Sequence, residues 1–113
     1  MRYAVENSVN VYAVKLLNLI GIDYGWSFGK DKLGLPLENG NRNLSLALGT
    51  PSVTTLDMAS AYSAFANNGI RVTPHAIEKV QDSNGKNLIT TQIAQERVMK
   101  ETTAYLLAAA VGV

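Results

Sequence analysis

Ser8-Val9-Asn10 sets a hydroxyl and a carboxamide two residues apart, immediately before an apolar periodic stretch. A hydroxyl so placed can pass a proton between neighbouring groups, and an amide can hold a peptide carbonyl. The same residue types are also ordinary helix caps, and on the triplet alone the cap is the first reading. Two further serines stand three residues before a lysine, in Ser27-Phe28-Gly29-Lys30 and Ser83-Asn84-Gly85-Lys86. A lysine at that spacing can activate a serine as a nucleophile, but a pattern this short arises by chance in a chain of this composition. His75 stands alone and the chain has no cysteine, so no metal-ligating set is present in the sequence. Gly21, Gly25 and Gly29 are evenly spread and follow no strand, which excludes a phosphate-cradling loop.

The elements that must position these groups can be read from periodicity. Val9, Tyr12, Ala13, Leu16, Leu17 and Ile20 fall on one helical face, predicting a helix over about 9–20, with Asn7 or Ser8 at its cap and Gly21 at its stop. Ile22 and Asp23 restart a helix that runs to about Leu33, weakened by Gly25 and Gly29, with Tyr24, Trp26 and Phe28 as its apolar contacts. Pro36, Asn39, Gly40 and Asn41 make 34–42 a loop, and the alternation of Leu44, Leu46 and Leu48 predicts a short extended piece. Thr54 and Asp57 form a capping box for a helix over 55–67, which Asn68 and Gly69 end. Residues 70–73 and 76–81 read as extended, and Asp82 to Lys86 as a turn that makes a hairpin with 87–91. A last helix begins at Glu101 or Thr102 and stops at Gly112 and Val113. Tyr12, Tyr62, Phe65 and Tyr105 lie on apolar helical faces and are expected in the core.

The 113 residues are at most one ordinary domain, and no internal repeat divides them. With 47% hydrophobic and 17% charged residues the chain is too apolar for intrinsic disorder. A net charge of +1 without a basic stripe argues against a nucleic-acid partner. No apolar run approaches a membrane span and the first residues lack a signal-peptide pattern, so the chain reads as soluble, while the lack of cysteine leaves export open.

An ordered series of segments carries a resemblance. After Ser8-Val9-Asn10 come Asn43-Leu44-Ser45-Leu46-Ala47-Leu48-Gly49, Val53 to Tyr62, Phe65-Ala66-Asn67-Asn68-Gly69, Arg71-Val72-Thr73-Pro74-His75, the hairpin Ile77 to Leu88 and Glu101-Thr102-Thr103-Ala104-Tyr105. In this order and spacing the chain resembles the transpeptidase domain of class A penicillin-binding proteins, over essentially its whole length. The resemblance implies an α/β fold related to serine β-lactamases, represented here by a mainly helical piece with a β-hairpin. It implies a parent enzyme that cross-links peptidoglycan stem peptides through a serine acyl-enzyme, is acylated by β-lactams, needs no cofactor, and is anchored in the membrane outside the cytoplasm.

In that family the chemistry rests on Ser-x-x-Lys, Ser-x-Asn and Lys-Thr-Gly. Residues 1–113 hold only the middle motif, and so read as a partial transpeptidase domain. By resemblance Ser8 relays a proton and Asn10 binds the substrate's peptide carbonyl. Ser27 and Ser83 follow the Ser-x-Asn triplet, whereas the family's nucleophile precedes it, so the chain has no nucleophile of its own. Lys32-Leu33-Gly34 lacks the hydroxyl of Lys-Thr-Gly and comes too early. The implied partners are stem peptide, β-lactam and the remainder of the domain, with self-association through apolar surface that the missing neighbours would cover. Two other readings stand beside this one. A self-contained helical binding module would use Ser8 and Asn10 only as caps, and a stand-alone serine hydrolase would use Ser27 and Lys30.

Overall fold

A computed structural model describes residues 2–111. In chain order these form α1 (Arg2–Glu6), α2 (Asn10–Ile20) and α3 (Ile22–Ser27), which continues as a π-helical turn over Phe28–Lys32. Two 3₁₀ turns follow, Asn39–Asn41 and Leu44–Leu48, and then α4 (Thr55–Ala66). Strands β1 (Ile70–Val72), β2 (Lys79–Gln81), β3 (Asn87–Thr90) and β4 (Gln95–Arg97) precede α5 (Glu101–Ala110). The fold is α/β, mainly helical, with two separate two-stranded antiparallel sheets, β1 with β4 and β2 with β3. The predicted end of the last helix at Gly112 lies outside the described residues.

The chain's packed centre is built on α4. Thr54 Oγ1 accepts the Asp57 N–H at 3.1 Å and Asp57 Oδ2 accepts the Thr54 N–H at 3.2 Å, the reciprocal box that the sequence predicts. Ser60, Ala61 and Ala64 are the buried residues of α4, and their small side chains let it pack against β1 and α5, where Ala104 is also buried. Gly69, at φ +82°, then turns the chain so that its carbonyl accepts the Val98 N–H at 2.9 Å, which brings β4 beside β1.

A second cluster centres on Trp26. Its indole N–H donates to the Glu38 carbonyl at 2.9 Å, and Leu37 is buried against Gly29. Lys30 Nζ and the Arg42 guanidinium lie 4.7 and 4.9 Å from the ring centroid, while Arg42 Nη2 pairs with Asp23 at 2.6 Å. Tyr24 stacks on Phe28 with centroids 6.3 Å apart.

Four expectations are corrected. First, the alternating leucines of 43–48 form a 3₁₀ turn because the Asn43 side chain accepts the Ser45 N–H at 3.0 Å and caps it. Second, the helix restarted at Ile22 does not run to Leu33 as one α-helix; it widens to π geometry from Phe28. Third, neither Asn7 nor Ser8 caps α2, whose N-cap is Val9, without a side-chain bond. Fourth, Tyr12, Tyr62 and Tyr105 are 60, 61 and 72% exposed, on helical faces that the other described elements leave largely uncovered. Two elements carry too little pattern to be read from sequence: the five-residue α1, and β4, whose Gln95, Glu96 and Arg97 are all exposed.

The same openness holds for the whole chain. Its accessible surface is 8197 Å², whereas a compact monomer of 12.2 kDa exposes about 6,100 Å². Its radius of gyration is 17.3 Å, against about 13 Å for a compact domain of this length. About 2,000 Å² of surface is therefore exposed beyond what a closed fold would leave, and it includes large apolar side chains such as Leu19, Tyr62 and Leu106.

Candidate functional site

The Ser8 turn is built by the way α1 ends. The Val9 N–H reaches back to the Ala4 carbonyl at 2.9 Å and the Ser8 N–H to the Val5 carbonyl at 3.2 Å. Those two bonds make a Schellman motif, in which Ser8 holds the left-handed position usually given to glycine. Ser8 has φ +48°, a conformation that costs an L-residue about 1–2 kcal/mol. Asn7 reinforces the turn by donating from Nδ2 to the Tyr3 carbonyl at 2.9 Å. Val9 closes this motif and is also the N-cap of α2, so Asn10 is the first residue of that helix. The triplet thus spans the corner between two helices, and the Ser8 hydroxyl takes no part in capping α2.

Both side chains are exposed and both line one open groove of about 500 Å³. Val9, Leu16 and Leu48 are among its apolar walls, and Lys15 and Tyr12 also line it. Leu48 arrives from the Leu44–Leu48 turn, which packs against α2. Val9, Tyr12, Ala13 and Leu16 of the predicted apolar face line the groove, and Leu17 is the single buried residue of α2. The left-handed Ser8 and extended Val9 break the helical register, so spacing from Ser8 gives no sequence signal for Lys15. Lys15 makes no ion pair among the described residues.

The other serine–lysine pairs lie elsewhere. Ser27 sits inside the continuous helix with φ −61° and ψ −41°, and Lys30 is held over Trp26. Ser83 is exposed in the β2–β3 turn. None of these residues lines the groove. Lys32 is engaged with Glu96 Oε1 at 2.7 Å, and this pair holds the Glu96 carboxyl below its ordinary range, through the hydrogen bond first and the charge second. His75 is exposed, with Nδ1 3.3 Å from the Thr73 carbonyl, and the described residues contain no cluster of metal-ligating side chains.

This groove presents a hydroxyl at Ser8, a carboxamide at Asn10 and an ammonium at Lys15. It brings no activated nucleophile to them among the described residues. Comparison with known proteins identifies the larger framework. The family described as "Penicillin binding protein transpeptidase domain" matches residues 1–111. The chain belongs to this transpeptidase family. It is 40% identical over 111 residues to penicillin-binding protein 1A of Clostridium novyi, covering 95% of this chain and 13% of that protein. It is 43% identical over 88 residues to penicillin-binding protein 1A of Aquifex aeolicus, covering 78% of this chain and 12% of that one. A crystal structure of penicillin-binding protein 1A from Haemophilus influenzae superposes with a TM-score of 0.81 at 26% identity, over 96% of this chain and 21% of that one. The chain thus spans about an eighth of the length of these two curated relatives. Membership in the transpeptidase family agrees with the α/β fold.

Proposed function

We propose that the chain is the Ser-x-Asn section of a peptidoglycan D,D-transpeptidase domain, whose other two motifs come from sequence outside residues 1–113. The observation that carries this reading is the convergence of Ser8 and Asn10 on one open groove, in a backbone conformation that capping does not require. In the complete domain a nucleophilic serine attacks the penultimate carbonyl of a stem peptide, the terminal residue leaves, and an amine of a second strand takes up the acyl group. Ser8 relays the proton between the motif lysine, the nucleophile and the leaving amine, and Asn10 holds the peptide carbonyl. β-Lactams acylate the same nucleophile. The parent protein works outside the cytoplasm, anchored in the membrane. Among the described residues no helix is long and apolar enough to cross one.

On this reading the nucleophile and the oxyanion hole come from the rest of the domain, and the chain by itself is inactive. Its surface excess of about 2,000 Å² also weighs against a self-contained binding module, and favours association with the rest of the domain or between copies. Intact mass after incubation with excess penicillin tests the reading. The chain alone stays unmodified, whereas the chain extended in both directions gains one penicilloyl group on a serine outside residues 1–113. An adduct on Ser27 or Ser8 would overturn it.

A further inference from the structure

Three asparagine–glycine pairs occur in the chain, Asn39-Gly40, Asn68-Gly69 and Asn84-Gly85, and the fold treats them differently. An asparagine rearranges when the main-chain nitrogen of the next residue attacks its side-chain carbonyl. That nitrogen must first lose its proton to water or hydroxide, so a hydrogen bond that holds the N–H suppresses the reaction. A β-carbon on the following residue also hinders it, which makes glycine the most permissive neighbour.

The Gly69 N–H donates to the Ala64 carbonyl at 2.8 Å, and Gly69 itself is buried against Met99. The Gly85 N–H donates to the Asp82 carbonyl at 3.0 Å, in a turn where Asp82 Oδ1 also accepts the N–H groups of Asn84 and Lys86, each at 2.9 Å. Gly40 differs from both. Its N–H has no hydrogen-bond partner among the described residues, whereas in exposure and in the open space around the glycine the pair matches Asn84-Gly85. Nor does the Asn39 side chain make a hydrogen bond there. The pair opens a single 3₁₀ turn whose capping box joins Glu38 to Asn41 and engages neither the Asn39 side chain nor the Gly40 N–H.

We propose that Asn39 is a site of spontaneous deamidation, ahead of Asn84, with Asn68 protected. The Gly40 nitrogen bonds to Asn39 Cγ, the bond from Cγ to the side-chain nitrogen breaks, and that nitrogen leaves as ammonia with the proton taken from Gly40. Water then opens the five-membered imide at either carbonyl, giving aspartate or isoaspartate. The product carries a new carboxylate three residues before Arg42, which already pairs with Asp23 and lies over Trp26. The net charge falls from +1 to zero.

The test is peptide mapping of the purified chain during storage in mildly alkaline buffer, with a parallel sample in concentrated urea. In the native sample Asn39 gains one mass unit first and yields an isoaspartyl peptide, Asn84 follows, and Asn68 stays intact; in urea the three convert at similar rates. Gly40→Ala slows the change at position 39 severalfold, and Asn39→Gln removes it while Asn84 keeps its rate. Conversion of Asn84 or Asn68 ahead of Asn39, or the same order in urea as in buffer, overturns the assignment. The outcome is independent of whether the chain serves a transpeptidase.

Discussion

Replacing Ser8 with glycine separates the two demands on that position. The left-handed backbone at φ +48° costs serine about 1–2 kcal/mol, and glycine is relieved of it. Glycine's greater freedom in the unfolded chain returns about 0.4–1 kcal/mol of that gain. Ser8→Gly should therefore stabilise the fold by about 0.5–1 kcal/mol, read as a higher urea midpoint at unchanged slope. Ser8→Ala keeps the β-carbon and should show no such gain, so the difference between the two variants isolates the backbone contribution. In the complete transpeptidase domain both variants lose the hydroxyl, and both should slow acylation by penicillin by about 10²–10⁴, the usual weight of a positioned proton-transfer group. Greater stability with lost acylation is the signature of a residue kept for chemistry against its local fold preference. A Ser8→Gly variant that is less stable than the parent, or that acylates at the parent's rate, would refute the reasoning.

Other substitutions probe the frame around the site. A β-carbon at Gly69 would collide with the Met99 carbonyl oxygen at a backbone φ of +82°, so Gly69→Ala should cost about 2–4 kcal/mol in urea unfolding. Thr54→Ala removes the acceptor for the Asp57 N–H and should cost about 1 kcal/mol, with loss of helical ellipticity. Glu96 titrates below its ordinary value of 4.5 because of Lys32, so the pair's stabilisation is complete above that value and disappears as pH falls through the lower folded-state value. Lys32→Met should return the Glu96 carboxyl toward its ordinary range in an NMR titration and remove that acid dependence.

Elements with a strong local code were legible in the sequence. The Thr54–Asp57 box and the β2–β3 turn stand where they were expected, because each is closed by bonds between residues two to four apart. The alternating leucines at 44–48 misled because a single Asn43 cap outweighs a period of two over so short a stretch. The exposed tyrosines misled for another reason. Apolar periodicity tells which face of a helix avoids water, and leaves open whether the covering surface belongs to the same chain. At the site, the residue types of Ser8 and Asn10 were legible and their geometry was not. A left-handed serine has no signature in composition or spacing, and it follows only from the carbonyls of Ala4 and Val5.

Trp26 is the sole tryptophan of the chain, and the fold has made it an optical probe. Two cations lie within 5 Å of its ring centroid, and its N–H donates to the Glu38 carbonyl. Its emission therefore responds to the detachment of the 37–42 loop and to charge at Arg42. The packed centre on α4 carries tyrosine and phenylalanine, with Tyr62 edge-on to Phe65 at 5.5 Å. Tryptophan emission consequently reports on the Trp26 cluster alone with no label added, whereas tyrosine emission sums Tyr62 with Tyr24 of the Trp26 cluster and three others.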